Sequence, residues 1–156
     1  MEVMRISAKT DYAIRATVEM ATRSPHGELV KAEAVAEAQR IPVRFLLTIL
    51  NELRRAGLVV SRRGQDGGYR LARPADEVSL ADIIRAIDGP LANVAGVRPE
   101  QLRPEGSAAP LREVWISVRS SLRSVLEHVT VADVSTGRLP ERVSALAEEP
   151  DAWLPR

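Results

Sequence analysis

The chain of 156 residues contains no cysteine. That single absence removes disulfides, thiolate zinc sites, cysteine nucleophiles and cysteine-held iron–sulfur clusters together. Aromatic residues number only five: two Trp, two Tyr and one Phe. No run approaches the 18 or so apolar residues of a membrane span. The opening Met1-Glu2-Val3-Met4-Arg5 lacks the apolar stretch of a signal peptide, so a soluble, cytoplasmic protein is expected. The two histidines, His26 and His128, are distant in sequence and have no partner at ligand spacing; each reads as a surface or helix-end residue, and no metal or cofactor is expected. No nucleophile–base pair appears. The glycines at 64–68 do not follow the strand–glycine–helix order of a phosphate loop, so the chain does not read as an enzyme.

Hydrophobic residues make up 45%, ordinary for a globular protein, and the length fits one domain with a helical appendage. The net charge of +1 conceals a strong asymmetry. Residues 1–39 carry five basic and six acidic groups; residues 40–73 carry eight arginines against Glu52 and Asp66; residues 74–156 carry nine basic and thirteen acidic groups. A +6 block in a near-neutral chain points to a localised polyanion-binding surface, with a merely solvated charged face as the alternative.

Ser7 to Thr22 predicts a helix capped by Ser7, buried on most sides, with Asp11, Arg15 and Glu19 on one exposed stripe. Ser24-Pro25-His26-Gly27 ends it, and Lys31 to Ala38 predicts a short second helix. Pro42 suits the first position of a third helix that runs to Ala56 and stops at Gly57. Its inward stripe is Leu46, Ile49, Leu50 and Leu53; Val43, Arg44, Leu47, Thr48, Asn51 and Arg55 face outward. Two short helices joined by Gln39-Arg40-Ile41 form a helix-turn-helix. The β-branched run from Leu58 to Arg63, the glycine-rich Gly64-Gln65-Asp66-Gly67-Gly68 and then Tyr69-Arg70-Leu71 predict a basic β-hairpin. A helix-turn-helix followed by such a hairpin is a winged helix, whose glycines let the tip approach a surface closely.

Several segments resemble the IscR/NsrR/CymR-type winged-helix transcription regulators, the Rrf-two family. These are Met4-Arg5-Ile6-Ser7, Thr10 to Ala16, Ile41 to Leu46, Leu53 to Val59, Arg62-Arg63-Gly64, Gly67 to Leu71 and Ser79 to Gly89. The resemblance implies a homodimeric, sequence-specific DNA-binding repressor or activator. It implies base contacts from Arg44, Leu47 and Thr48, and a minor-groove contact from Arg63. Leu47 departs from the acidic or polar residue often found there; it can touch a thymine methyl but cannot accept from a cytosine amino group, so a different operator is expected. Arg40 replaces a glycine usual in the turn, which is mild strain if its φ is positive. Many relatives hold an iron–sulfur cluster through three cysteines in the loop matching Leu91 to Pro110. This chain has none there.

Ser79 predicts a capped helix from Leu80 to Ile87, with Asp82 completing a capping box, and Gly89-Pro90 ends it. In the long loop that follows, Leu91, Val97 and Leu102 either line a small-molecule pocket or tuck the loop onto a neighbouring helix. Leu111, Trp115, Val118, Leu122, Val125 and Val129 recur at a mean period near 3.5, the seam of a coiled coil, and predict a dimerisation helix; an intradomain core helix is the alternative. Thr130 to Val134 predicts one further turn and Leu139 to Ala147 a terminal helix, with Trp153 docked on the surface.

The expected architecture is mainly α with a small β-hairpin: a winged helix-turn-helix domain over 1–89, a sensor-type loop over 90–110, a dimerisation helix over 111–134 and a short helix and tail over 135–156. The expected DNA-binding set is Arg44, Leu47, Thr48, Arg54, Arg55, Arg62, Arg63, Gly64, Gln65 and Arg70. The expected partners are double-stranded DNA bearing a palindromic operator, a second copy of the chain and a small-molecule effector, with no membrane. A winged helix that binds protein rather than DNA is the alternative.

Overall fold

The computed structural model describes residues 6–155. Met1–Arg5, which hold the opening segment and half of the first family motif, lie outside the described residues, as does Arg156. The first helix, α1 (Ala8–Arg23), is the axis of the domain: Ala13, Ala16, Thr17 and Met20 are fully buried. The alanines let other helices approach closely. Ser7 caps the helix by accepting the Thr10 N–H at 3.1 Å. Buried Thr10 donates to Asp88 at 2.6 Å and buried Thr17 to the Ile14 carbonyl at 2.8 Å, so neither hydroxyl is stranded.

The helix-turn-helix is α2 (Ala32–Gln39) and α3 (Val43–Arg55). Arg40 lies in the left-handed region at φ 53, and its N–H closes α2 onto the Ala36 and Glu37 carbonyls. Glycine would adopt this conformation more readily, so the turn stores a local strain of roughly 1 kcal/mol. Pro42 sits one position earlier than expected. With ψ 127 it is the residue before the helix, and its carbonyl accepts the Leu46 N–H at 2.9 Å. Leu46, Ile49, Leu50 and Leu53 are at most 1% exposed. Tyr12 and Phe45 meet edge to face with ring centroids 5.6 Å apart, and Lys9 pairs with Glu52, fastening α3 to α1.

The wing is an antiparallel pair, β1 (Val59–Arg62) and β2 (Gly68–Leu71), in register Val59↔Leu71, Val60↔Arg70, Ser61↔Tyr69 and Arg62↔Gly68. Val30, just before α2, exchanges both backbone hydrogen bonds with Tyr69 at 2.8 Å and so lies along the other edge of β2 as a one-residue third strand. The fourth helix, α4 (Leu80–Asp88), carries the expected capping box between Ser79 and Asp82.

Two features differ from expectation. The fifth helix, α5 (Leu111–Leu126), stops before Val129. Val129 is not on a dimer seam: it is 3% exposed and its carbonyl accepts the Leu80 N–H at 2.9 Å. The chain breaks there because Thr130 is extended and forms a capping box with Asp133, starting α6 (Val131–Thr136). Val131 is fully buried and α6 packs on α1, so residues 129–136 return to the first domain rather than extending the dimerisation helix. The last helix, α7 (Glu141–Glu148), is followed by a 3-10 turn at Pro150–Trp153. Trp153 is not docked. The residue is 80% exposed, and its indole N–H donates to the Ala147 carbonyl in the last turn of α7.

The loop 91–110 is tucked in at its start: Leu91 packs with Ala81 and Ile84, against Ile14 and Leu126. Leu102 is half-buried and Val97 exposed. Two 3-10 turns, Pro99–Gln101 and Gly106–Ala108, and a Val94↔Val97 bridge give the loop structure of its own. Ile83→Ala, which empties a fully buried site, should cost about 2–5 kcal/mol in denaturant unfolding. Val43→Ala, on the exposed face of α3, should stay within about 0.5 kcal/mol.

Candidate nucleic-acid interface

Burial of one stripe of α3 dictates what the opposite stripe presents. With Leu46, Ile49, Leu50 and Leu53 inside, Arg44, Leu47, Thr48 and Arg55 point to solvent. Between α3 and the wing lies an open groove of about 590 Å³, lined by Leu47, Thr48 and Arg54 from the helix and Arg62 and Arg63 from the hairpin. Asn51, Ser61 and Tyr69 line it too, and Arg54 donates to Asn51 Oδ1 at 2.8 Å. Five of the ten residues singled out for DNA binding thus share one concavity. Ser61 and Tyr69 escaped the sequence reading, although strand alternation places both on the hairpin face that carries this groove.

Of the other five, four lie around it. Arg44 and Arg55 are exposed on α3 outside the groove lining, and Gly64 and Gln65 form the exposed wing tip. Arg70 pairs with Val60, on strand positions alternate to Ser61 and Tyr69, with its guanidinium beside Gly27. Arg70 is therefore the one member turned from the groove.

This surface carries uncompensated positive charge. Arg44, Arg54, Arg55, Arg62 and Arg63 form no ion pair among the described residues and no carboxylate lines the groove, whereas Arg15, Arg23, Arg73, Arg85 and Arg119 elsewhere are paired. Guanidiniums left without carboxylates on one face are available to an external polyanion.

The wing is held in place by contacts not evident from the sequence. Lys31 Nζ donates to the Gln65 carbonyl at 2.6 Å and the Gly64 carbonyl at 3.4 Å, pinning the tip to the start of α2. Gly67 and Gly68 admit no side chain: an added Cβ would fall 2.1 Å from the Arg62 carbonyl oxygen and 2.6 Å from that of Val30. These two glycines serve close backbone approach within the fold.

This arrangement has close counterparts among known proteins. A family model described as "Rrf2: Iron-dependent Transcriptional regulator" matches residues 6–137. The chain belongs to the Rrf2 family. It is 50% identical over 146 residues to a Mycobacterium tuberculosis H37Rv protein named as an HTH-type transcriptional regulator, Rv1287, covering 94% of this chain and 90% of the relative. It is 34% identical over 134 residues to the HTH-type transcriptional regulator CymR of Bacillus subtilis, covering 85% and 91%. Among solved structures, CymR, named as the global cysteine regulator of B. subtilis, superimposes with a TM-score of 0.73 at 32% identity, over 86% of this chain and 98% of that one. An IscR from T. potens gives 0.66 at 29% identity, over 97% and 93%. The winged-helix reading and the family resemblance both hold, and the family is one of transcriptional regulators, not enzymes.

The iron named in the family's description does not fit this member's donor set. The loop over 91–110 offers no thiolate and no imidazole; its acidic residues are Glu100 and Glu105, and Glu100 is already paired with Arg119. No group of three or more His, Cys, Asp or Glu able to hold a metal occurs among the described residues. Among the same residues, no helix is long and apolar enough to cross a membrane.

Gly67→Ala should force the wing off its seat. Hydrogen exchange should show lost protection at the Tyr69 and Val30 amides, with a stability loss of about 1–3 kcal/mol, while Gln65→Ala leaves both unchanged.

Proposed function

We propose that this Rrf2 regulator acts in the cytoplasm as a homodimer that binds a palindromic operator in double-stranded DNA, represses transcription there, and answers to a small-molecule effector. The observation that carries the reading is the cluster of unpaired guanidiniums around the groove between α3 and the wing. In this reading α3 enters the major groove. Arg44 and Thr48 meet base edges, and Leu47 meets a thymine methyl. Arg63 reaches into the adjacent minor groove, while Arg54, Arg55 and Arg62 hold phosphates at the groove and Arg70, on the other face of the hairpin, holds one outside it. Gly64 and Gln65 bring the wing tip to the backbone.

Dimerisation is supported by an anomaly of α5. It has sixteen residues and an apolar stripe, yet none of them is buried in the single chain. Leu111 is 44% exposed and Val114 48%, and Trp115, Val118, Leu122 and Val125 are only half-buried. A stripe of this kind is stable in water when a second copy covers it. Two chains joined on Leu111, Trp115, Val118, Leu122 and Val125 carry two recognition helices that suit half-sites about 34 Å apart.

Fluorescence anisotropy on promoter fragments at about 150 mM salt tests the reading. A preferred fragment should bind well above bulk DNA, and the affinity should fall steeply between about 50 and 200 mM salt. Arg63→Ala should cost about 1–3 kcal/mol on that fragment. If no fragment beats bulk DNA, or if binding ignores salt, the DNA reading fails in favour of a protein partner.

A further inference from the structure

The part of the fold where many relatives are expected to hold a cluster is occupied here by arginines. Alongside α4, the 89–100 segment and α5 lies an open cleft of about 390 Å³ whose polar lining is Arg85, Arg98, Arg119, Arg123, Asn93 and Glu100. Four guanidiniums share the cleft with one carboxylate.

Two of the four are already committed. Arg85 pairs with Glu127 and, at 4.0 Å, with Asp82; Arg119 pairs with Glu100. Glu100 is held below the ordinary carboxylate range, first by its own backbone N–H and then by the Arg119 hydrogen bond, so it stays charged and keeps Arg119 in position. Arg123 makes no side-chain hydrogen bond or ion pair among the described residues. Arg98 has only the through-space attraction of Glu100. Two positive charges therefore remain to be matched at this spot. Asn93 adds a requirement of a different kind: its Oδ1 is buried with no hydrogen-bond partner, an arrangement that costs about 1–3 kcal/mol unless a donor arrives. The backbone beside it is strained as well. Ala92 and Ala95 adopt φ values of 54 and 50, a left-handed conformation that side chains disfavour and that recurs at ligand clamps.

We propose that this cleft binds a small dianionic metabolite, with carboxylate or phosphate groups set against Arg98 and Arg123 and a hydroxyl or amino donor set against Asn93. The inference rests on the reading of the chain as an effector-governed regulator and names the effector's chemical class. Guanidinium forks match carboxylate and phosphate oxygens equally well, so the shared chemistry is a dianion carrying a donor. The cleft's volume lies within the range of metabolite pockets. The site also explains how a cysteine-free member can retain a sensor: fixed arginines replace thiolates, and the signal becomes a soluble anion in place of a cluster.

Isothermal titration calorimetry on the full chain, without DNA, tests this with citrate, O-phosphoserine and glycerol 3-phosphate at ionic strength matched by sodium chloride. At least one probe should bind once per chain with a Kd below about 1 mM. Citrate against the two phosphates separates the carboxylate from the phosphate source. Arg98→Gln and Arg123→Gln should each weaken binding by about tenfold or more, the loss of one charge-assisted hydrogen bond, and Asn93→Leu should weaken it too. Because neither arginine holds an ion pair in the fold, both variants should melt with the parent, which separates a lost site from a lost fold. The proposal is overturned if none of the three probes binds below about 1 mM, or if binding survives both arginine substitutions unchanged. Arg63→Ala should bind the probe as the parent does, so failure of this site and failure of the DNA reading are told apart.

Discussion

Everything on the proposed DNA face depends on the rotation of α3 about its own axis. A helix turns about 100° per residue, so shifting its buried stripe by one position would carry Arg44 and Thr48 toward the core and Leu46 or Leu50 into water. Four aliphatic side chains at most 1% exposed forbid that. The edge-to-face contact of Tyr12 with Phe45 and the Lys9–Glu52 pair restrain the helix further from α1. The wing is then referred to the same frame through Val30, whose two backbone hydrogen bonds to Tyr69 tie the hairpin to the entrance of α2. The groove between helix and wing is thus a rigid consequence of a small aliphatic core.

Arginine is used differently around the two concavities. Around the groove between α3 and the wing, Arg44, Arg54, Arg55, Arg62 and Arg63 are exposed and without ion pairs among the described residues, whereas Arg73 of the same basic block pairs with Asp82. Around the cleft beside α4 and α5, Arg85 and Arg119 are neutralised by Glu127 and Glu100, while Arg98 and Arg123 have no ion pair among the described residues. A net charge of +1 averages a polyanion-facing surface with a largely self-compensated one. An unpaired arginine is therefore more informative here than the total charge.

Much of this was legible from residue pattern alone. Ser7, Ser79 and Asp82 mark helix starts by hydrogen-bonding chemistry that acts locally, and the α3 stripe is a periodicity that burial enforces. The strain at Arg40 was signalled only by the family resemblance, in which a glycine is usual at this turn, and its φ of 53 bears that out. The end of α5 was missed for a physical reason: apolar periodicity continues through Val125 to Val129 whether or not the backbone does. Thr130-x-x-Asp133 was the signal that a new helix starts, and it outweighs periodicity because it satisfies the N-terminal N–H groups of α6. The Lys31 clamp and the Val30 bridge join residues more than thirty positions apart, and no local pattern announces them. The arginine cleft is invisible in the sequence for the same reason: the loop's local signal is its apolar Leu91, Val97 and Leu102, while the cleft's polar lining is assembled from α4, the loop and α5.

The central claim is that two copies of this winged helix read DNA together through α3 and the wing. Hydroxyl-radical and guanine-methylation footprinting of the purified protein on its selected site tests it most directly. The account predicts two protected major-groove patches related by two-fold symmetry with centres about 10 base pairs apart, each flanked by minor-groove protection that disappears with Arg63→Ala. A single asymmetric patch, or protection spread evenly along the duplex, would contradict it.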